Sequence, residues 1–473
     1  MTKNQPNSAH ILVFPYPTPG HMMPLLDLTH QLANRGLRIT ILVTAENLPI
    51  LNSLLSKHPS IESLVLPFPP HTSLPPGAEQ LTRLSPSLFP TVMRKMRTLQ
   101  TPIVKWFQNH PSPPTAIISD MFLWWTGPLA QELKVRRFVF SPSGVMAMLV
   151  IYSLRQYPPE NDDSDDSIRL ISPVRIPNSP IYPRWQLEFL YRTRFEEEDE
   201  VDPITEFMRD GILANMASWG LVFNSFSALE RVYIDQVVEE AGHNRVWTVG
   251  PLLLLKEDLS GPNETEQSGI LSWLDTCSER AVVYVCFGSQ AVLSNDQMQA
   301  IAIALEKSGA RFVWCVKEGG PRGHVEGSFG MIPLGFEDRV AGRGLVLRQW
   351  APQMKILSHR AVGAFLTHCG WNSVLEGLVA GVQMLAWPME GEQFLNATLL
   401  VDEVKAGVRV CEGAQTVPDS VELARAVAEV MSKAESETDR AREWLRKAAL
   451  DATREGGSSF KDLDRLAMHL SQL

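Results

Sequence analysis

Residues 350–393 read WAPQMKILSHRAVGAFLTHCGWNSVLEGLVAGVQMLAWPMEGEQ, and one junction inside them constrains the fold more than anything else in the chain. The apolar run 363–368 (GAFLTH) has the length of a strand. Cys369-Gly370-Trp371 breaks it, and Asn372-Ser373-Val-Leu-Glu376 opens a helix with capping residues and an acid in its first turn. A strand that passes within three residues into a helix is half of a βαβ unit, which belongs to a parallel sheet with helices packed on its faces. The unpaired N–H groups and dipole of such a helix start form an anion site. His368 stands at the strand end facing that spot, and Asn372 and Ser373 add side-chain donors. Glu376, four residues after Asn372, shares its helix face and can accept from ribose hydroxyls. Trp350 offers a flat face to a nucleobase. The chemistry indicated is a nucleotide diphosphate held without a metal.

The same alternation recurs along the chain. Residues 10–15 (HILVFP) form a buried strand, 24–34 a helix with Leu25, Leu28 and Leu32 on one stripe, and 38–44 (RITILVT) the next strand. Strand patterns follow at 63–66, 116–119 and 137–140, then at 281–287, 311–317, 345–347, 363–367 and 384–387. With 473 residues the chain exceeds one hydrophobic core. The expected architecture is α/β: two Rossmann-like, doubly wound domains with a cleft between them and ligands at the carboxyl ends of the strands. The expected boundaries are 1–250, an interdomain linker at 251–270 in a polar, Gly/Pro-containing stretch, 271–452, and a terminal amphipathic helix in 453–473. Residues 421–452 read as strongly helical. Residues 155–200, with acidic runs at 160–166 and 196–200, read as exposed loops, as does the glycine-rich stretch 318–330.

A net charge of −10 and a pI near 5.6 argue against a nucleic-acid surface. Five cysteines without C-x-x-C spacing read as thiols in a reducing compartment. The N-terminus is polar and no 18-residue apolar run follows, so a cytoplasmic protein with no membrane insertion is expected. In that compartment the sequons Asn263-Glu-Thr265 and Asn396-Ala-Thr398 would go unused.

A second constellation lies near the N-terminus. His21, in Gly20-His21-Met22-Met23-Pro24, follows the first strand and precedes the helix; a histidine there can take a proton from a hydroxyl. Asp120 follows the strand at 116–119 on the same carboxyl edge, where it can accept from the other ring nitrogen and fix the tautomer. Asp163-Ser164-Asp165 matches a metal-binding D-x-D pattern, but it sits in an acidic loop behind two prolines and reads as a solvated charge run.

The run 350–393 resembles the donor-binding signature of plant UDP-dependent family 1 glycosyltransferases, and His21, Ser119-Asp120 and Phe287-Gly288-Ser289 fall where that family has matching residues. The resemblance implies a GT-B architecture whose last helix crosses back onto the first domain. It places Trp350 on uracil with Ala351 and Gln353 nearby, and Glu376 on the ribose. It gives His368, Asn372, Ser373 and Ser289 to the diphosphate and Trp371, Glu392 and Gln393 to the sugar. Three positions depart from the pattern. Glu392 replaces the more usual aspartate, Gln383 stands where proline is common, and Pro142 sits where some members use a threonine to touch the sugar's terminal hydroxyl, a contact Ser143 could restore. Met22, Met23, Phe122, Trp124 and Trp125 suggest an apolar acceptor pocket, with core packing as the alternative reading.

The expected reaction is inverting transfer of a sugar from a UDP-sugar to a hydroxyl of a small lipophilic acceptor, such as a flavonoid, another phenolic or a terpenoid, by a monomer needing no cofactor or metal. Glucose is the expected sugar, since Gln393 stands where galactose- and rhamnose-using relatives often carry His; UDP-rhamnose and UDP-xylose are the alternatives. A nicotinamide-dependent oxidoreductase is disfavoured because neither βα start carries G-x-G-x-x-G. A silent nucleotide-sugar binder is opposed only by the joint presence of His21 and Asp120.

Overall fold

The computed structural model describes residues 9–69, 88–159, 169–191, 203–253, 264–317, 329–348, 351–432 and 437–473. The chain divides into two units, one of residues 1–255 with 451–473 and one of residues 256–450.

In the first unit, β1 (His10–Phe14), β2 (Arg38–Thr44), β3 (Glu62–Leu66), β4 (Ala116–Asp120) and β5 (Arg136–Ser141) are joined after a small ribbon, β6 (Leu170–Ile171) and β7 (Tyr182–Pro183), by β8 (Gly220–Phe223) and β9 (Val246–Thr248). Seven of these form one sheet in the order β3-β2-β1-β4-β5-β8-β9, with every pair parallel. The second unit contains β10 (Val282–Cys286), β11 (Arg311–Cys315), β12 (Gly344–Leu347), β13 (Val362–Thr367), β14 (Gln383–Ala386) and β15 (Gly407–Arg409), again all parallel, in the order β12-β11-β10-β13-β14-β15. A parallel sheet is covered on both faces, so its inner strands are apolar without alternation. β1, β4, β10 and β13 are buried throughout for that reason. The order reverses between β1 and β4 in one sheet and between β10 and β13 in the other. Both candidate constellations lie at those reversals.

Four boundaries differ from the sequence reading. The first helix runs Pro19–Asn34, so His21 lies in its first turn and Pro24 inside it. Pro19 is the N-terminal proline, and Pro24 is tolerated although its ring cannot donate a bond back to Gly20. Part of the expected linker is helical, Glu264–Asp275, with Ile270 and Leu274 buried. Residues 421–452 hold two helices, Ser420–Val430 and Glu437–Thr453, instead of one. The expected loops at 155–200 contain the ribbon β6–β7 and a helix, Arg184–Tyr191, anchored by buried Ile171, Tyr182 and Leu187. β8 and β15, only four and three residues long, carry too few positions for a strand pattern to be read.

The last helix, Ser458–Ser471, packs on the first unit. Asp462 accepts from the Thr248 N–H at 2.9 Å and Asp464 from Arg35 Nε at 2.8 Å, while Leu463, Leu466 and Leu470 are buried. Among the described residues no helix is long and apolar enough to cross a membrane. All five cysteines are thiols.

Three histidines of the first unit are held neutral. His10 Nδ1 donates to the Ser112 carbonyl at 2.7 Å and Nε2 accepts from Thr40 Oγ1 at 2.8 Å. His30 Nδ1 and His58 Nε2 share a hydrogen bond of 2.7 Å. Burial lowers all three pKa values, helped for His30 by His58 and for His58 by Lys57. An unfolded chain takes up these protons first, so the stability they contribute is present above about pH 6.5 and lost as the pH falls below it. Buried Glu230, and Glu390, whose carboxyls are raised, act in the opposite sense. The melting temperature is expected to fall between pH 7 and pH 5, and the fall to shrink in a His30→Gln/His58→Gln variant. Scanning calorimetry of both proteins across that range checks this; identical slopes would contradict the assignment.

Candidate active site

β1 and β4 are neighbours with Phe14 beside Ser119, so the segments leaving their carboxyl ends emerge side by side although 99 positions separate His21 from Asp120. His21 Nδ1 lies 2.8 Å from Asp120 Oδ2. The aspartate is completely buried, and its Oδ1 accepts from the Phe122 N–H at 2.8 Å. Both carboxylate oxygens are therefore engaged, and the carboxylate is fixed relative to the turn that follows β4. A carboxylate against Nδ1 sets the proton there and leaves Nε2 as the basic nitrogen. The imidazole side chain is 20% exposed. Its ring lies 4.4 Å from that of Phe122 and 5.7 Å from that of Tyr16, centroid to centroid.

The residues expected to line the acceptor pocket separate into two groups. Phe122 flanks the His21 ring. Trp124 and Trp125 instead join the core cluster that includes Leu12, Phe14 and Tyr16, and Met22 and Met23 are buried as well. Ser143 is half-buried, with an Oγ that meets no protein partner. It precedes the helix Val145–Gln156, whose first N–H groups, from Val145 and Met146, donate to buried Glu230 at 3.0 and 2.7 Å. Pro142 is buried.

In the second unit β10 pairs with β13, with Cys286 beside Thr367, which brings the segments carrying Ser289 and His368 to one edge. The helix after β13 runs Trp371–Ala380 with Gly370 as its cap. It begins one residue earlier than expected, because Trp371 buries its indole in the first turn; Glu376 therefore falls in the second turn. Gly370 supplies no side chain to the first N–H groups, so the open helix start available to an anion is retained. The His368 ring sits between two glycines. A Cβ on Gly288 would fall 2.7 Å from His368 Nε2 and one on Gly370 2.5 Å from it, and Gly288 also needs φ +74°. Burial draws the imidazole down to about 4, so it is neutral at ordinary pH. Its Nδ1 is buried with no protein partner.

Glu376 is wholly buried and accepts from Gln353 Nε2, which also donates to Ser373 Oγ at 3.2 Å. Ala351 is buried beside this pair in sequence, while Trp350 lies outside the described residues, as do Asp163–Asp165. Asn372 is half-buried and Ser373 buried. Glu392 is half-buried, just ahead of the helix Gln393–Ala397. Gln393 Oε1 accepts from the N–H groups of Met389 and Glu390 at 2.9 and 3.2 Å, so its carbonyl is committed to the loop and its amide nitrogen is what remains for a ligand. Gln383 is buried in β14, neither amide atom meeting a protein partner.

Three further residues shape this unit without having been read as site residues in the sequence. Lys317, just past β11, donates from Nζ to the Ser289 carbonyl at 2.7 Å and brings a cation to that edge; a lysine at a strand's carboxyl end was the available signal. Asn396 is buried and donates to the Cys369 carbonyl at 3.0 Å, bracing a turn whose Cys369 has φ +62°. Glu390 is raised above the ordinary carboxyl range by burial and by Glu392. Among the described residues no three His, Cys, Asp or Glu side chains are grouped to hold a metal ion.

Comparison with known proteins bears on this arrangement. Residues 259–438 match the family described as UDP-glucoronosyl and UDP-glucosyl transferase. UDP-glycosyltransferase 89B2 of Stevia rebaudiana is 52% identical, covering 98% of both chains. A flavonol 3-O-glucosyltransferase of Arabidopsis thaliana, UGT89B1, is 49% identical over 99% of this chain and 98% of that one. The crystal structure of Arabidopsis thaliana UGT89C1 complexed with UDP-L-rhamnose, 36% identical, covers 98% of this chain and all of its own with a TM-score of 0.80, and the same protein has been solved with quercetin. A histidine–aspartate pair at one strand reversal, an open helix start at the other and this likeness along nearly the whole chain agree: the protein belongs to the plant family 1 UDP-glycosyltransferases, enzymes of GT-B fold.

Proposed function

We propose that this glycosyltransferase moves glucose from UDP-glucose to a hydroxyl of a flavonoid, with inversion at the sugar's anomeric carbon. The observation that carries the reading is the 2.8 Å contact between His21 Nδ1 and a buried, doubly engaged Asp120. His21 Nε2 takes the proton from the acceptor hydroxyl as that oxygen attacks C1. The bond from C1 to the UDP oxygen breaks, and the electron pair leaves with UDP. Asp120 stabilises the imidazolium that results. The second unit supplies what the leaving diphosphate needs: the N–H groups at the start of the Trp371–Ala380 helix, the His368 imidazole, the Ser373 hydroxyl, and the Ser289 loop tied to Lys317. A relative that is a flavonol glucosyltransferase and a neighbour solved with quercetin support the acceptor class.

Gln393 and Glu392 support glucose: an amide NH₂ with its carbonyl already occupied presents donors, and Glu392 presents acceptors, to ring hydroxyls. One observation favours a second donor. Pro142 offers no hydroxyl to the sugar's terminal carbon, and the neighbour UGT89C1 was solved with UDP-L-rhamnose, a 6-deoxy donor. The reading extends to a monomeric, cytosolic enzyme that uses no metal or cofactor.

His21→Ala is expected to lower turnover by about 10²–10⁴-fold with UDP affinity nearly unchanged, and Asp120→Asn to cost less because the imidazole stays. More than about a tenth of wild-type turnover in His21→Ala would overturn the base assignment. Transfer should persist in EDTA; complete loss restored by manganese or magnesium would direct attention to Asp163–Asp165. In a side-by-side donor assay UDP-glucose should give the highest kcat/KM, and Gln393→Ala should weaken its use by about 1–3 kcal/mol while sparing UDP binding. UDP-rhamnose ahead by about tenfold would establish the second donor instead.

A further inference from the structure

Arg137 projects from β5 with only 3% of its surface exposed, and every group it is bonded to is neutral. Nε donates to Ser119 Oγ at 3.0 Å and Thr126 Oγ1 at 2.9 Å, Nη1 to Ser218 Oγ at 2.7 Å, and Nη2 to Asn215 Oδ1 at 2.9 Å. A guanidinium buried without a carboxylate against it is expensive, and a fold keeps one only where something offsets the cost. Burial draws it down to about 9, which leaves it charged at neutral pH, and the opposite charge acting on it is Asp120.

The partners share a location. Ser119 directly precedes Asp120 in β4. Thr126 opens the helix Thr126–Glu132 that follows the turn Met121–Leu123. Asn215 passes a hydrogen bond onward, from Nδ2 to the Met121 carbonyl at 2.8 Å. The fork therefore grips the turn bearing Asp120 before it, after it and, through Asn215, at its first carbonyl. The helix that supplies Asn215, Pro203–Met216, is seated closely: a Cβ on Gly211 would fall 2.2 Å from Trp124 Cδ2. The charged and titratable side chains that face Asp120 among the described residues are His21 from the first helix, Tyr16 from the segment after β1, and Arg137 from β5. Among the described residues, the helix Thr126–Glu132 brings to this cluster the Thr126 hydroxyl, the helix Pro203–Met216 the Asn215 amide, and Ser218 a second hydroxyl. Tyr16 is held neutral by its burial and by Asp120.

We propose that Arg137 is a positioning residue for sugar transfer: it acts through Asp120, as the buried cation that faces the carboxylate and as the clamp that holds the turn placing it against His21. The proposal rests on His21 being the base. It assigns to one side chain two tasks that lysine cannot combine, since an ammonium carries the charge but lacks the planar fork that reaches four acceptors.

The test compares Arg137→Met, Arg137→Lys and Asn215→Ala with wild type in full kinetic profiles over pH, with quercetin as acceptor and UDP-glucose as donor. Arg137→Met should lower kcat by about ten- to a hundredfold with the acceptor KM within about threefold, the scale of a slightly misplaced catalytic group. Arg137→Lys should lose kcat only severalfold, as should Asn215→Ala; these two carry the test if Arg137→Met does not fold. In an Asp120→Asn background, Arg137→Met should cost little further. Wild-type kcat in the variants, a loss in Arg137→Met carried by the acceptor KM instead of kcat, or losses that add in full with Asp120→Asn would each overturn the proposal. An active His21→Ala would instead remove the base assignment beneath it, whereas an inactive His21→Ala beside a normal Arg137→Met sinks the present inference alone.

Discussion

Parallel pairing at the two strand reversals is the constraint on which the rest of this structure depends. β1 lies beside β4, and β10 beside β13, in registers that end nearly level, Phe14 with Ser119 and Cys286 with Thr367. At a reversal the helices that leave the two strands pass to opposite faces of the sheet, so the loops diverge and leave a notch. One notch holds the imidazole and its carboxylate, the other an imidazole and an open helix end. The apolar strands beneath do no chemistry. Their stiffness lets His21 and Asp120, far apart in sequence, meet within a hydrogen bond.

The two histidines are handled in contrasting ways. His21 is given a carboxylate and a measure of solvent, which suits a group that must gain and lose a proton. His368 is wedged between Gly288 and Gly370 with burial suppressing its charge, which suits a group that donates one hydrogen bond and never titrates during the reaction. The same residue type serves two purposes because the surroundings differ.

Legibility in the sequence followed the range of the forces involved. Inner strands were readable because burial on both faces leaves long apolar runs, and His21, Asp120 and His368 were readable because each follows such a run. Helix starts were less so. Pro24 reads as a first-turn proline, yet Pro19 takes that place, and the buried indole of Trp371 advances its helix by one residue. Side chains whose role is set by distant partners left no local trace. Trp124 reads equally as pocket or core until Gly211 is placed against it, and nothing near Arg137 in sequence announces that its fork spans two helices and a strand. Gln393 reads as a sugar contact by resemblance alone, and the commitment of its carbonyl to Met389 and Glu390 emerges only from the loop's geometry.

The buried amide of Asn396 has a consequence for how this chain can be made. It belongs to an Asn-Ala-Thr acceptor sequence for N-linked sugars, and its nitrogen is the one that holds the Cys369 carbonyl in place. Oligosaccharide is attached to such a nitrogen while the chain is still extended, and a bulky, hydrated glycan there cannot be packed beneath a turn. Expression routed through a glycosylating secretory pathway would therefore set modification against folding at the very turn that follows His368, whereas production where that machinery is lacking leaves the amide to its structural task.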